Sequence, residues 1–170
     1  MNLRLRPLRL DDEAAYQAAQ AELAVDDFPF GFMEPGTTFA EHVQRTIDHR
    51  YGRGLPPGFV ESSFLVADVG GSIVGRSSIR HVLNDELAHH GGHIGYAVRP
   101  GFRRRGYATE ILRQSLVIIR SYGVERVLVT CNDDNVASAA VIEACGGVLE
   151  RVVAPTGPGD RVAFRRYWIA

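Results

Sequence analysis

Residues 93–108, HIGYAVRPGFRRRGYA, constrain this chain more than any other stretch. Ile94, Tyr96 and Val98 alternate with His93, Gly95 and Ala97, the period of a strand with two distinct faces. Pro100 has no N–H to give to a ladder, so the strand ends near Arg99. Arg103, Arg104 and Arg105 follow, then Gly106, then an apolar-periodic helix from Tyr107 to Tyr122. No acidic residue lies between Glu86 and Glu110. A helix N-terminus carries unpaired N–H groups and a partial positive charge. A glycine just before it lets the backbone approach a ligand or take a positive φ, and neighbouring arginines add charge-assisted bonds. Together these make a cradle for a pyrophosphate.

Arg103-Arg104-Arg105-Gly106-Tyr107-Ala108 fits the R/Q-x-x-G-x-G/A signature of the GCN5-related N-acetyltransferase (GNAT) family. Tyr96-Ala97-Val98-Arg99-Pro100 resembles the strand that precedes the signature in that family. Asn135-x-x-Ser138, followed by Glu143-Ala144-Cys145-Gly146-Gly147, resembles its second motif. The six-residue signature alone is weak; strand, helix and N-x-x-S at the expected distance make the resemblance specific over residues 93–147 and topological elsewhere. The bland alternative is an ordinary strand–turn–helix with surface arginines.

Bulk properties narrow the field. A chain of 170 residues with 45% apolar content predicts one domain, residues 1–170, with a sizeable core. A net charge of −1 argues against a nucleic-acid partner despite the arginines of 99–105. All 19 basic residues are arginine, which excludes a Walker A lysine, a Schiff-base lysine and self-acetylation on lysine. Cys131 and Cys145 are too few for a disulfide framework or a structural zinc site, and read as buried thiols. The N-terminus lacks a signal-peptide core and no run has the length of a membrane span, so a cytoplasmic protein with no membrane partner is expected.

The chain then reads in order. A first strand covers Leu3 to about Leu10, and Asp11-Asp12 cap a helix to about Val25. An aromatic turn region holds Phe28, Phe30 and Phe32. A second helix starts at Thr37 or Thr38 and ends near Tyr51-Gly52. Strands 62–69 and 72–82 flank a Gly70-Gly71 hairpin turn. Residues 83–92 form a connection with one helical turn. Strand 93–98 returns antiparallel to 72–82, and the helix 107–122 buries Ile111, Leu112, Ser115, Leu116 and Ile119. The all-apolar strand 127–131 is expected as a parallel neighbour of 93–98. A helix over 135–145 and a final antiparallel pair, 148–153 and 162–169 around TGPGD, complete the chain.

This order predicts an α+β protein. It matches the GNAT fold: a mixed, mostly antiparallel sheet with one parallel splayed strand pair and helices on both faces. The resemblance implies acetyl-CoA as co-substrate, lying where the strands at 93–98 and 127–131 diverge. Its pyrophosphate would sit on residues Arg103, Arg104, Arg105, Gly106, Tyr107 and Ala108. Its pantetheine would run along Tyr96, Ala97 and Val98 like an added strand. Gly95 and Tyr96 would lie at the thioester, where a backbone N–H polarises the carbonyl. Asn135 and Ser138 would touch the pantetheine or acetyl end, although a helix cap explains Asn135 without function. In that family this helical region commonly walls the acceptor site, so the rings at 28–32 either touch substrate or seal the core edge.

Two departures matter. Many relatives carry a tyrosine acid where Ile142 stands, and some carry a glutamate base where Thr130 stands. Candidate bases by position are His93, His81, expected to face it across the hairpin base, and Glu61; Glu86 offers a further carboxylate. Each has an ordinary surface or hydrogen-bonded reading. His89, His90 and His93 lack the spacing and carboxylate partner of a zinc site, so no metal is expected. The implied activity is acetyl transfer from acetyl-CoA to a primary amine, on a small molecule or a protein N-terminus, by direct attack. The alternative is a non-catalytic acyl-CoA-binding sensor or degenerate enzyme. Relatives are often dimers, so a homodimer is allowed by the resemblance, but no sequence feature shows one.

Overall fold

The computed structural model describes residues 2–155 and 162–170. The elements are β1 (Leu3–Pro7), α1 (Glu13–Ala24), α2 (Phe39–Arg50), β2 (Ser62–Val69), β3 (Ser72–Arg80), α3 (Asp85–His89), β4 (Ile94–Val98), α4 (Tyr107–Ser121), β5 (Val127–Asn132), α5 (Val136–Ala144), β6 (Val148–Val153) and β7 (Phe164–Ile169). The order is the expected one, with the helical turn of the 83–92 connection present as α3. The expected TGPGD connection lies outside the described residues.

Local chemistry explains the boundaries. Thr38 caps α2 by accepting from Glu41 N–H, while the Glu41 carboxylate takes Thr38 N–H at 2.7 Å, a capping box. Gly70 and Gly71 both have positive φ, 60° and 87°, as a two-residue hairpin turn requires. Pro100 opens a short 3₁₀ turn just past β4.

β1, β2, β3 and β4 form one antiparallel sheet in that order; β5, β7 and β6 form a second. The expected parallel ladder between β4 and β5 does not form. Just before β4, Gly92 forms an isolated antiparallel bridge with Val129 of β5. His93 N–H donates to Leu128 C=O at 2.8 Å, and Leu128 N–H donates to His93 Nδ1 at 2.9 Å. Here the imidazole takes the place of the next rung. β5 satisfies its backbone on β7, from Val127 opposite Ile169 to Asn132 opposite Phe164, which leaves β4 free to diverge.

Helices cover both faces of the first sheet. On one face α4 buries Ile111, Leu112, Ser115, Leu116 and Ile119, the residues its periodicity marks. Ser115 and Ser77 share a buried hydrogen bond of 2.8 Å between α4 and β3. On the other face Tyr16, Ala19 and Leu23 of α1 and Phe39 and Val43 of α2 pack on Val66, Ile73 and Ala97. At the first strand, Arg6 bonds Asp12 through two nitrogens, at 2.7 and 2.8 Å, and Asp68 at 2.7 Å. No helix among the described residues is long and apolar enough to cross a membrane.

Candidate functional site

β4 is the edge strand of its sheet, and its register fixes which backbone groups are free. Ser78 faces Gly95 and Arg76 faces Ala97. Arg80 N–H donates to His93 C=O at 2.7 Å, and Arg99 N–H to Val74 C=O at 2.9 Å. The alternation of an antiparallel pair then turns the His93 carbonyl and the backbone of 95, 97 and 99 toward β3 and that of Tyr96 and Val98 outward. They face the gap left by the divergence of β4 and β5, a cleft of about 850 Å³.

The cleft's far end is the start of α4. Gly106 is the N-cap at φ 79°, in the left-handed region, and no side chain caps this helix. The first-turn N–H groups therefore stay open, and Tyr107, Ala108 and Thr109 line the cleft. Arg104 also has a positive φ, 63°, and lines it. Arg103 is partly committed, donating from Nε to Val98 C=O at 3.2 Å and from Nη2 to Asp26 at 2.6 Å. Arg105 is turned away. Its Nη2 donates to Gly101 C=O at 3.1 Å, and its guanidinium lies over the Phe102 ring.

The opposite wall comes from β5 and α5. Asn135 Oδ1 accepts from Ser138 N–H at 3.0 Å and caps α5. The Tyr96 phenol crosses the cleft to Ser138, with 2.8 Å between the two oxygens. Burial, offset in part by Ser138, pushes the phenol well above its ordinary range, so it stays protonated. Thus Tyr96, Ala97, Val98, Arg103, Arg104, Gly106, Tyr107, Ala108, Asn135 and Ser138 share one cleft, and Arg105 does not. Ile142 is fully buried in the core. Thr130 Oγ1 accepts from Gly91 N–H at 3.1 Å.

A second cavity, about 380 Å³, lies between α2, the β2–β3 face and α3. His42, Arg45 and His49 enter it from α2, Ser78 and Arg80 from β3, and Glu86 from α3. It adjoins Gly95, because a Cβ placed there would lie 3.4 Å from Arg80 Nη1 and 3.6 Å from Arg76 Nη1. The aromatic turn divides the two spaces. Phe28 lines the cleft, Phe32 lines the cavity, and the Arg76 guanidinium stands 5.2 and 5.4 Å from their ring centres. Phe30 is core. Burial, then Arg80, pushes Arg76 down to about 9, and burial alone lowers Arg80. Burial, then Arg45 and His49, pushes His42 down to about 4, so its ring is neutral.

His93, His81 and Glu61 line neither of these two spaces. His93 has its Nδ1 lone pair engaged by Leu128 N–H. The residue opposite His93 is Arg80 rather than His81. His81 instead stacks on Tyr122 at 3.8 Å, and its Nε2 pairs with Ser63 Oγ at 2.9 Å. Glu61 accepts His81 N–H through its backbone carbonyl. Sequence reasoning did not single out Arg76, Arg80, His42, Arg45 or His49. One usable signal was present: Arg76, Ser78 and Arg80 recur with period two on β3, a polar row beside Gly95.

Among the described residues no group of three or more His, Cys, Asp or Glu is arranged to hold a metal ion. The fold is shared with solved acetyltransferases. One is a putative acetyltransferase, yncA, from Salmonella typhimurium with its cofactor acetyl-CoA, 13% identical, covering 99% of this chain and 94% of that one, TM-score 0.68. Another is RimL, a ribosomal L7/L12 alpha-N-protein acetyltransferase, 21% identical over 98% of this chain and 88% of that one, TM-score 0.67. A third is a spermidine N-acetyltransferase SpeG chimera from Vibrio cholerae and hSSAT, 16% identical over 99% and 95%, TM-score 0.68. Comparison of the sequence with curated proteins returned no match. The acetyltransferase (GNAT) domain family matches residues 2–148, and the chain belongs to that family.

Proposed function

We propose that this protein moves the acetyl group of acetyl-CoA to a primary amine by direct attack in a ternary complex. The observation that carries the reading is the junction of β4 and α4. The outward strand backbone of Tyr96 and Val98, whose carbonyl at Val98 already accepts from Arg103 Nε, runs into an uncapped helix start behind a left-handed Gly106. The open amides of Tyr107, Ala108 and Thr109, with Arg104, would hold a pyrophosphate. Tyr96 and Val98 would hold the amide-bearing arm by strand-like pairing. These donor and acceptor groups fit the co-substrate's chemistry.

When bound, acetyl-CoA supplies an activated acyl carbon and a sulfur leaving group. The chain's own task is to hold an amine against it. A C–N bond forms, the C–S bond breaks, and the proton lost by nitrogen ends on sulfur by way of solvent. The Tyr96 O–H, kept protonated by burial, offers a hydrogen bond within the cleft. Position along the chain points to His93, His81 and Glu61 as proton acceptors. With His93 Nδ1 engaged and the other two outside both spaces, we assign proton removal to water or to Glu86, which opens onto the second cavity.

Calorimetric titration with acetyl-CoA tests the reading, with Gly106→Glu as the control. Saturable binding by the native protein, lost in the variant, is expected. No binding by the native protein overturns the proposal. A sensor without turnover is separated by amine-dependent thiol release, which it lacks.

A further inference from the structure

We infer that the second cavity takes a small amine acceptor carrying an oxyanion, a carboxylate or a phosphate, rather than a polycation; this rests on the donor reading above. The charge balance around the cavity carries the argument. Arg45 and Arg80 line it, and Arg76 stands behind Phe32. Its carboxylates are Glu34 and Glu86. Glu34 is already held by Arg45 at 2.6 Å. Among the described residues Arg80 has no carboxylate partner; its Nη1 reaches only the carbonyls of Gly91 and Gly92, at 3.4 and 3.3 Å. Arg76 also has none. It donates to Phe30, Gly95 and Pro29 carbonyls at 2.9, 3.0 and 3.2 Å.

The polar atoms without partners point the same way. His42 is 3% exposed, lines the cavity, and has no partner among the described residues for either ring nitrogen. Arg45 Nη2 and His49 Nε2 are also buried and unpartnered. Buried donors without acceptors are costly, so a native structure has a reason to keep several around one space. An oxyanion brings several lone pairs, which meet the Arg45 Nη2 donor with a charge-assisted bond and the one N–H of the neutral His42 ring. A polyamine brings only donors, and places its charge beside Arg80 and Arg76. Glu86 remains for the amine end of the same ligand. Phe32, Phe59 and Phe64 line the rest of the space and would cover an apolar body.

The test is acetyl-CoA-dependent thiol release with matched acceptors: L-phenylalanine against L-phenylalaninamide, O-phosphoethanolamine against ethanolamine, and spermidine alone. The anionic member of a pair is expected to exceed its neutral twin by about tenfold or more in kcat/KM, the effect of one charge-assisted hydrogen bond. The pair that responds tells carboxylate from phosphate. Arg80→Gln is expected to bring that ratio toward one, with Arg45→Gln as the second variant. Neutral twins or spermidine served equally well overturn the inference. So does the absence of turnover on every anionic amine by protein that binds acetyl-CoA, and in both cases the donor reading stands. Absence of acetyl-CoA binding by calorimetry overturns the donor reading and this inference together.

Discussion

Replacing His42 by leucine should make the protein more resistant to acid. His42 is almost fully buried against Tyr16, Phe39 and Phe64, with ring centres 5.2, 6.3 and 6.3 Å away, and its nitrogens are unpartnered. Burial, then the charges of Arg45 and His49, holds its pKa at about 4 against an ordinary 6.5. The unfolded chain therefore binds a proton that the folded chain refuses. Folding costs nothing for this group above pH 6.5, and the penalty grows as pH falls toward 4. At pH 5 the two pKa values give roughly 2 kcal/mol, and full development below pH 4 gives roughly 3. Urea denaturation of native and His42→Leu protein at pH 7.5 and pH 5 measures this directly. His81 and His93 are also lowered, mainly by burial, and act equally in both proteins, so the difference reports His42 together with its coupling to His49. The native protein should lose about 2 kcal/mol more than the variant between the two pH values. Equal losses would refute the assignment of a neutral, unpartnered ring to this cavity.

Tyr96→Phe removes the hydroxyl that reaches Ser138, and should cost about 1 kcal/mol in urea denaturation and lower kcat in thiol release by about tenfold. An unchanged kcat would take the phenol out of the chemistry. Gly106→Ala forces a Cβ into φ 79° at the N-cap of α4; at about 1–2 kcal/mol for that conformation, calorimetry should show Tm falling by roughly 2–8 °C, with weaker acetyl-CoA binding. Asp68→Asn breaks the buried pair with Arg6 and should cost about 3 kcal/mol near neutral pH. The Arg6 hydrogen bond holds the Asp68 carboxyl below its ordinary 3.8 despite opposing desolvation. Its contribution is thus present above about pH 4 and lost as pH falls further, so native and variant stabilities should converge in strong acid.

The cleft between β4, α4 and α5, proposed above for the donor, was largely legible as a place because its parts are contiguous. Strand, proline stop, glycine and amphipathic helix each announce themselves within a few residues, and the chain folds them where they stand. Arg105 departs because two left-handed residues, Arg104 and Gly106, flank it and the turn carries its side chain back to Gly101 and Phe102. The aromatic turn divided three ways, with Phe28 to the cleft, Phe32 to the cavity and Phe30 to the core, a distinction no spacing rule supplies.

The candidate bases show where such reading stops. His93 and His81 sit at the right places along the chain, yet one became a rung between β4 and β5 and the other a stacked partner of Tyr122. Both outcomes depend on segments some 35 to 41 residues away. The cavity residues have the same origin. His42, Arg45 and His49 come from α2, Arg80 from β3 and Glu86 from α3.

By itself the sequence determined the α+β order, the Gly70-Gly71 hairpin, the buried face of α4 and the glycine at its start. Backbone period, φ preference and helix capping are properties of neighbouring residues. Only the tertiary structure decided that β4 and β5 part at Gly92–Val129, that β5 takes β7 as its partner, and that buried Arg76 and half-buried Arg80 stand beside Gly95 with no carboxylate partner among the described residues. Periodicity tells a residue which face it occupies, but what packs on that face is settled by the long-range pairing of elements.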